Sequence, residues 1–244
     1  MCRGEVPAEL TARNGQYKTA TTLGRRGTVY YPTDADPPFA AIAITPGFLN
    51  TGPEMGPWGT FYASWGIVTH VTSANAADIP EVRAQLLLGG IEELKMMNMD
   101  GKGPLAGKLS GRYGISGYSY GGGGATIGAS RSPELLTSVG LAPFGGTGVD
   151  SKVPTLVFCG EIDVVAACFM ADGVYGGMPE QTPKMYISVP GAEHLSWFSP
   201  TTAGGGTSGK YALAFQKVFL EGDQRWKALL IQKPAGGELK TNIQ

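Results

Sequence analysis

The stretch GYSYGGGG, residues 117–124, places one serine between two tyrosines and follows it with four glycines. A flexible linker has such a composition, and so does a sharp turn in which no larger residue fits. The flanking sequence favours the turn. RYGISG, which leads into it, has the composition of a strand, and the small residues up to Ser130 are typical of a helix packed tightly on a sheet. The pattern therefore predicts a strand–turn–helix unit with Ser119 at the turn.

Short β-rich or continuously apolar runs alternate with helical patterns along the chain. The predicted strands cover residues 26–32, 40–45, 67–72, 112–117, 135–143, 155–160 and 184–191. Further helices are predicted over residues 61–66, 78–98 and 209–220. Strands that alternate with helices predict an α/β fold, with a mostly parallel central sheet flanked by helices on both faces.

The bulk properties of the chain limit its organisation and its partners. Its 244 residues contain no internal repeat or long linker, so we predict one domain over 1–244, with flexible ends at 1–15 and 233–244. The formal net charge of −1 offers no basic surface for nucleic acid. No run of about 18 apolar residues is present to span a bilayer. We also expect a monomer.

The first fifteen residues and the cysteines bear on the cellular compartment. MCRGEVPAELTARNG lacks the apolar core of a signal peptide, so the protein is either cytosolic or begins after a removed signal. The cysteines are Cys2, Cys159 and Cys168, which show no metal-like spacing and allow at most one internal disulfide. Cys159 lies in the apolar run TLVFCG, so we interpret it as a core thiol. Whether it pairs with Cys168 stays open.

Residues 117–121, GYSYG, fit the pattern G-x-S-x-G of a nucleophile elbow. In such a turn the serine hydroxyl projects from the end of a strand, and the glycines let the backbone pass close to its neighbours. The helix that begins after the serine offers a backbone N–H to a developing oxyanion. An ordinary strand–helix turn is the alternative, because a glycine-rich chain produces the pentapeptide by chance.

A serine nucleophile needs a base, and the chain has two histidines. His70 lies inside the predicted strand 67–72, upstream of Ser119, and we interpret it as a structural histidine. His194 lies in a loop just past the strand 184–191, where α/β sheets place their chemistry. The chain order serine, acid, histidine therefore selects His194 as the base.

The acid that orients the base must lie between Ser119 and His194 in this order. Asp163 follows the strand 155–160 and shares the carboxyl edge of the sheet with the other two groups. Glu161 is its rival, and we interpret Glu161 as a solvated turn carboxylate. The sequence therefore predicts a triad of Ser119, Asp163 and His194.

An oxyanion hole needs two backbone donors. Tyr120 follows the predicted nucleophile and supplies one N–H, and Phe48 follows the strand 40–45 and supplies the other. Aromatic residues near these positions predict an apolar cleft; they are Tyr118, Tyr120, Phe144, Trp197 and Phe198. Core packing is the alternative for some of them, first for Tyr118, and the sequence leaves open whether Trp197 and Phe198 line the cleft.

The chain resembles the bacterial cutinase-like polyester hydrolases, which include the poly(ethylene terephthalate) hydrolases. The resemblance extends from about Gly27 to Trp226. It is carried by GTVYYPTDA, AAIAITPGF, WGTFYASWGIVT, GYSYGGGGA, APF, VPTLVFCGEIDVVA and GAEHLSWF. It implies the α/β-hydrolase fold, the same triad and the same oxyanion donors. Where this family has tyrosine and methionine at the donor positions, this chain has Phe48 and Tyr120.

The resemblance further implies where substrate binds. The aromatic wall of the family corresponds to Phe144, and an apolar substrate contact two residues after the acid corresponds to Val165. We add Leu195, next to the predicted base, as a third substrate contact. The resemblance also implies a secreted protein.

Together these observations predict a serine ester hydrolase that acts on hydrophobic esters or polyesters through an acyl-enzyme. No metal or organic cofactor is expected, since the predicted groups suffice for the reaction. One alternative is a small-ester carboxylesterase or lipase without activity on polymers. Another is a catalytically inactive hydrolase fold that serves as a binding module.

Overall fold

A computed structural model describes residues 4–244 of the chain. Residues 1–3, which include Cys2 and belong to the end predicted to be flexible, lie outside the described residues. The strands are β1 (Thr19–Leu23), β2 (Gly27–Pro32), β3 (Phe39–Thr45), β4 (Val68–Thr72), β5 (Leu109–Tyr118), β6 (Thr137–Leu141), β7 (Thr155–Gly160), β8 (Lys184–Val189) and β9 (Glu238–Thr241). The α-helices are α1 (Gly56–Ser64), α2 (Pro80–Met99), α3 (Tyr120–Arg131), α4 (Cys168–Gly177), α5 (Thr207–Phe215) and α6 (Lys227–Leu230).

These strands form one sheet in the order β1-β2-β4-β3-β5-β6-β7-β8-β9. The strands from β4 across to β8 pair in parallel, whereas β1, β2 and β9 pair antiparallel at the two edges. β5 lies near the middle, where Gly117 pairs with Thr45 of β3 and with Gly140 of β6. The predicted mostly parallel sheet with helices on both faces is confirmed.

Two apolar layers cover the sheet, which explains why its central strands are apolar along their whole length. All seven residues of β3 are buried. The layer on one face includes Trp58, Phe61 and Tyr62 of α1 with Leu213 and Phe215 of α5. The layer on the other face includes Leu87, Ile91 and Leu94 of α2 with Ala125 and Ala129 of α3. Strands buried on both sides are expected of parallel sheets.

The glycines of α3 permit close packing around the strand–helix turn. A Cβ on Gly121 would lie 2.4 Å from the carbonyl oxygen of Thr45, in the neighbouring strand. A Cβ on Gly124 would lie 2.7 Å from the Cβ of Arg83 on α2. Both distances are shorter than a carbon atom tolerates, so these glycines let backbones touch. The run of glycines is therefore a packing surface of a helix and not a flexible linker, as the flanking sequence indicates.

Some elements have no counterpart in the sequence-based prediction. The edge strands β1 and β9 and the helices α4 and α6 were not predicted, and the helix predicted over 61–66 begins earlier, at Gly56. β1 and β9 are four or five residues long and lie at the sheet edges, with half-exposed side chains, so they lack the apolar runs that marked the central strands. Among residues 4–244, no helix has the length and apolar character needed to cross a bilayer.

The tight contact at Gly124 gives a prediction about stability. Gly124→Ala places a methyl group against Arg83 and should lower the free energy of unfolding by about 1–3 kcal/mol. Gly173→Ala in α4 is the matched control, because a Cβ there meets no atom within 4 Å. It should raise that free energy by about 0.5–1 kcal/mol. Urea denaturation measures both, and shifts of the same sign would contradict the packing argument.

Candidate active site

The residues predicted to form the site follow the carboxyl ends of parallel strands that lie side by side. Phe48 follows β3, Ser119 follows β5 and Phe144 follows β6. Asp163 and His194 follow β7 and β8. Because these strands are parallel neighbours, residues far apart in sequence meet at one edge of the sheet.

Ser119 occupies a sharp turn between β5 and α3. Its backbone has φ 53° and ψ −116°, a conformation that costs a non-glycine residue about 1–3 kcal/mol. Hydrogen bonds on both sides hold the turn. The Ser119 N–H donates to the carbonyl of Leu141 at 2.9 Å, and the N–H groups of Gly123 and Phe144 donate to the Ser119 carbonyl at 2.9 and 3.0 Å. A strained turn held in this way is typical of a nucleophile elbow.

A chain of two hydrogen bonds links the serine to the acid. Ser119 Oγ lies 3.0 Å from Nε2 of His194, and Nδ1 of His194 lies 2.8 Å from Oδ2 of Asp163. When Nδ1–H donates to the carboxylate, Nε2 of the neutral ring is left to accept the serine proton. The arrangement can therefore make the Ser119 oxygen nucleophilic.

The Asp163 carboxylate is held by backbone donors as well as by His194. Its Oδ1 accepts hydrogen bonds from the N–H groups of Val165 and Ala166, both at 2.8 Å, and the side chain is fully buried. Glu161, its rival in the sequence, instead accepts a hydrogen bond from the Gly191 N–H at 2.9 Å and is exposed. The structure thus brings Asp163, and not Glu161, to the histidine.

Tyr118 contacts His194 through a hydrogen bond and through its ring. Its hydroxyl donates to the His194 carbonyl at 2.7 Å, and the centroids of the two rings are 5.3 Å apart. Burial, and next the charge of Asp163, raise the pKa of Tyr118 above its ordinary value. The phenol therefore stays protonated and remains a donor through the neutral and mildly alkaline range.

The two backbone donors predicted for an oxyanion lie beside the serine. Tyr120 is the first residue of α3, so its N–H has no partner inside the helix. Phe48 follows Gly47, where an added Cβ would lie 2.9 Å from the Cβ of Ser119. Within residues 4–244, neither of these N–H groups donates to another residue. Both are available to a ligand.

An apolar cleft of about 390 Å³ opens above these groups. It is lined by Phe48, Leu49, Asn50, Tyr118, Ser119, Tyr120, Phe144, Val165, His194, Leu195 and Phe198. The rings of Phe48, Tyr120 and Phe144 form a continuous aromatic row, with neighbouring centroids 5.4 and 5.3 Å apart. Leu195 and Val165 are 63% and 50% exposed, so the cleft presents apolar side chains to an incoming molecule.

Of the two aromatic residues whose place the sequence leaves open, Phe198 lines this cleft and Trp197 does not. The Trp197 side chain is fully buried, and its ring lies 6.1 Å from that of Phe158. The Trp197 carbonyl accepts a hydrogen bond from the Trp58 indole N–H at 2.8 Å. Trp197 therefore belongs to the core under α1.

The interpretation of Cys159 as a core thiol is wrong, because Cys159 forms a disulfide with Cys168. The bond joins the end of β7 to the start of α4, with the two Cα atoms 5.0 Å apart. Asp163 lies in the short loop that the bond closes. The spacing of nine residues around the predicted acid was the available signal, but it did not prove a pairing.

His70 lies apart from the cleft, as its interpretation as a structural residue requires. It is fully buried in β4, where its Nε2 lies 3.3 Å from a carboxylate oxygen of Glu93 on α2. Burial lowers the pKa of His70, although the Glu93 carboxylate opposes that shift. A Cβ on Gly90 would lie 2.8 Å from Nδ1 of His70, which explains a glycine in the middle of α2.

Comparison with known proteins finds one family model and several curated relatives that are similar to this chain. A family model described as PETase, PET hydrolase-like, matches residues 3–243. The Bis(hydroxyethyl) terephthalate hydrolase of Streptomyces coelicolor is 32% identical, over 95% of this chain and 77% of the relative. Cutinase est2 of Thermobifida alba is 31% identical over 97% and 81%. Cutinase 2 of Thermobifida cellulosilytica is 30% identical over 96% and 92%.

Proposed function

The chain belongs to the PET hydrolase-like family, and we propose that it is a serine ester hydrolase that cleaves the carboxylic esters of hydrophobic esters and polyesters. The observation that carries the proposal is the hydrogen-bond chain from Ser119 through His194 to Asp163 at the mouth of an apolar cleft. Family membership and this geometry support the same reaction independently.

In the proposed reaction Ser119 is the nucleophile and His194 the general base. Nε2 of His194 takes the hydroxyl proton while Oγ bonds to the ester carbonyl carbon. The carbonyl π electrons move to the oxygen, and a tetrahedral intermediate forms. Asp163 keeps the imidazole in the required tautomer and stabilises its charged form. The N–H groups of Phe48 and Tyr120 stabilise the oxyanion.

The intermediate collapses when the bond to the leaving alcohol breaks. His194 returns its proton to that alcohol, which leaves an acyl group on Ser119. Water then attacks the acyl carbonyl as His194 removes its proton. Breakdown of the second intermediate releases the acid and restores the serine. All of these groups come from one chain, so the proposal needs no second subunit.

The substrate class follows from the walls of the cleft. Phe144, Val165 and Leu195 are proposed as the substrate contacts, since they lie with Ser119 in a cleft that is open to solvent. A row of aromatic rings suits the apolar repeat units of a polymer, and the relatives are named for terephthalate esters and cutin. An open cleft also admits a chain that is much longer than the cleft itself.

We place the enzyme outside the cell. A solid polyester is too large to enter a cell, so its hydrolase must be exported. The disulfide between Cys159 and Cys168 supports this location, because disulfides persist in oxidising compartments.

The assignment of the acid gives a prediction. Asp163→Asn leaves a side chain of the same shape but favours the wrong imidazole tautomer, so kcat on p-nitrophenyl butyrate should fall roughly 10³–10⁴-fold. The matched control is Glu161→Gln, two residues away. It should keep kcat within about twofold, since this exposed turn carboxylate is not part of the hydrogen-bond chain from Ser119 to Asp163. Equal losses in both variants, or an active Asp163→Asn enzyme, would overturn the assignment.

The proposed polymer contacts give a second prediction. Leu195→Ser and Val165→Ser should each lower product release from an amorphous poly(ethylene terephthalate) film roughly fivefold, because each removes about 1 kcal/mol of apolar contact with the polymer. The rate on soluble p-nitrophenyl butyrate should change less. Liquid chromatography of the released terephthalate products measures the first rate, and nitrophenolate absorbance the second.

The control for these variants is Leu23→Ser. Leu23 is 83% exposed on the edge strand β1, away from the cleft, and its loss should leave both rates unchanged. A wild-type enzyme that hydrolyses the soluble ester but releases nothing from the film would favour the small-ester alternative.

A further inference from the structure

Arg83 is a buried cation that joins two loops beside the cleft. It lies on α2 and has no exposed surface. Its Nη2 donates to the carbonyls of Gly47, Asn50 and Asn75 at 3.0, 3.3 and 2.9 Å, and its Nε donates to the carbonyl of Asp78 at 3.2 Å. A buried guanidinium loses its hydration, and here backbone carbonyls replace part of the lost water.

The Gly47 carbonyl and the Phe48 N–H belong to one peptide unit. A trans peptide is planar, and its C=O and N–H point in opposite directions. The carbonyl accepts a hydrogen bond from Arg83 on α2. The Phe48 N–H, at the opposite side of the peptide, is therefore directed away from α2. Gly47 itself packs against Ser119, where a Cβ would lie 2.9 Å from the serine Cβ. The orientation of this donor is therefore coupled to the guanidinium.

The loop that carries Phe48 is strained and depends on its anchors. Leu49 has φ 64°, the left-handed region that a branched side chain disfavours. Its N–H donates to the Ala76 carbonyl at 2.8 Å, while Arg83 holds the carbonyls of Gly47 and Asn50 on either side. Without the guanidinium these carbonyls would lose their charged donor. The Gly47 carbonyl would keep only the Asn50 N–H, at 3.2 Å, as a hydrogen-bond donor, and the peptide would be held less firmly.

We infer that Arg83 is a positioning residue for the oxyanion hole, which fixes the Gly47–Phe48 peptide and polarises it so that the Phe48 N–H meets the developing negative oxygen. A cation on the carbonyl strengthens the N–H at the other end of the same unit as a donor. This inference rests on the proposed hydrolase function. It concerns a residue that never touches the substrate, on a helix that supplies no group to the cleft.

The test separates positioning from support of the fold. Arg83→Met removes all donors, and Arg83→Lys keeps a charge that reaches fewer carbonyls. Turnover of p-nitrophenyl butyrate is divided by the concentration of active sites, which is titrated with a fluorophosphonate. Arg83→Met should lower kcat per active site roughly 10–100-fold with KM within about twofold. Arg83→Lys should lower kcat per active site by a smaller factor.

Affinity for n-butylboronic acid is the second measurement, because this compound bonds to a serine oxygen and mimics the tetrahedral intermediate. Its inhibition constant should rise by the same factor as kcat falls, since both report binding at the oxyanion position. If Arg83 only supported the fold, its substitution would lower the melting temperature and the number of active sites. It would leave kcat per active site and the inhibition constant of the boronic acid unchanged.

Lys217→Met is the matched control. Lys217 is a buried cation that donates to the Trp65 carbonyl at 2.7 Å and to the buried Glu221 carboxylate at 2.8 Å, and it does not line the cleft. This variant should lose stability yet keep kcat per active site when assayed well below its melting temperature. If Arg83→Met does not fold, Arg83→Lys alone tests the inference. Its kcat per active site should fall roughly 3–10-fold.

Wild-type kcat and boronate affinity in the Arg83 variants would overturn the inference and leave the hydrolase proposal intact. A wild-type protein that neither turns over the ester nor reacts with the fluorophosphonate would instead overturn the proposed function. The two failures are therefore distinguishable in one set of assays.

Discussion

The close contact of the turn at Ser119 with its neighbours is the constraint on which the rest of the site depends. Ser119 keeps φ at 53° because its own N–H and carbonyl are both hydrogen-bonded and because glycines let β3 and α2 approach α3. A larger residue at Gly121 or Gly124 would push these elements apart. The strain is therefore supported by packing well beyond the turn, which fixes the hydroxyl at the cleft mouth before any substrate arrives.

Hydrogen bonds that involve main-chain N–H or C=O groups hold each of the groups around this hydroxyl in place. Asp163 is fixed by two N–H groups of its own loop, and His194 by the hydroxyl of Tyr118 at its carbonyl. Ser119 is fixed by Leu141, Gly123 and Phe144. In our proposal, Arg83 does the same for Phe48. Preorganised groups of this kind need little reorganisation during reaction, which is the main source of electrostatic catalysis. The exposed side chains of Leu195 and Val165 are apolar and form no hydrogen bonds, so they suit a variable substrate.

Sequence patterns located the central strands and the three side chains that meet at the carboxyl edge of the sheet, but not the contacts that hold them. Asp163 and His194 were predictable because each follows an apolar strand, and parallel strands end at one edge. The edge strands β1 and β9 were missed because they are short and half exposed. Pairing of Cys159 with Cys168 depends on how α4 begins, which local sequence does not determine. Arg83 went unnoticed because a charged residue near the start of a predicted helix usually faces solvent. Only the tertiary structure buries it.

The central claim is that Ser119 is a nucleophile activated by His194. The most direct measurement is the reaction of the folded protein with a fluorophosphonate, followed by intact mass and peptide mapping. The account predicts one phosphonyl group per chain, attached to the peptide that contains Ser119, and no reaction after unfolding in urea. Modification at another residue, or an unmodified Ser119 in protein that hydrolyses esters, would contradict it.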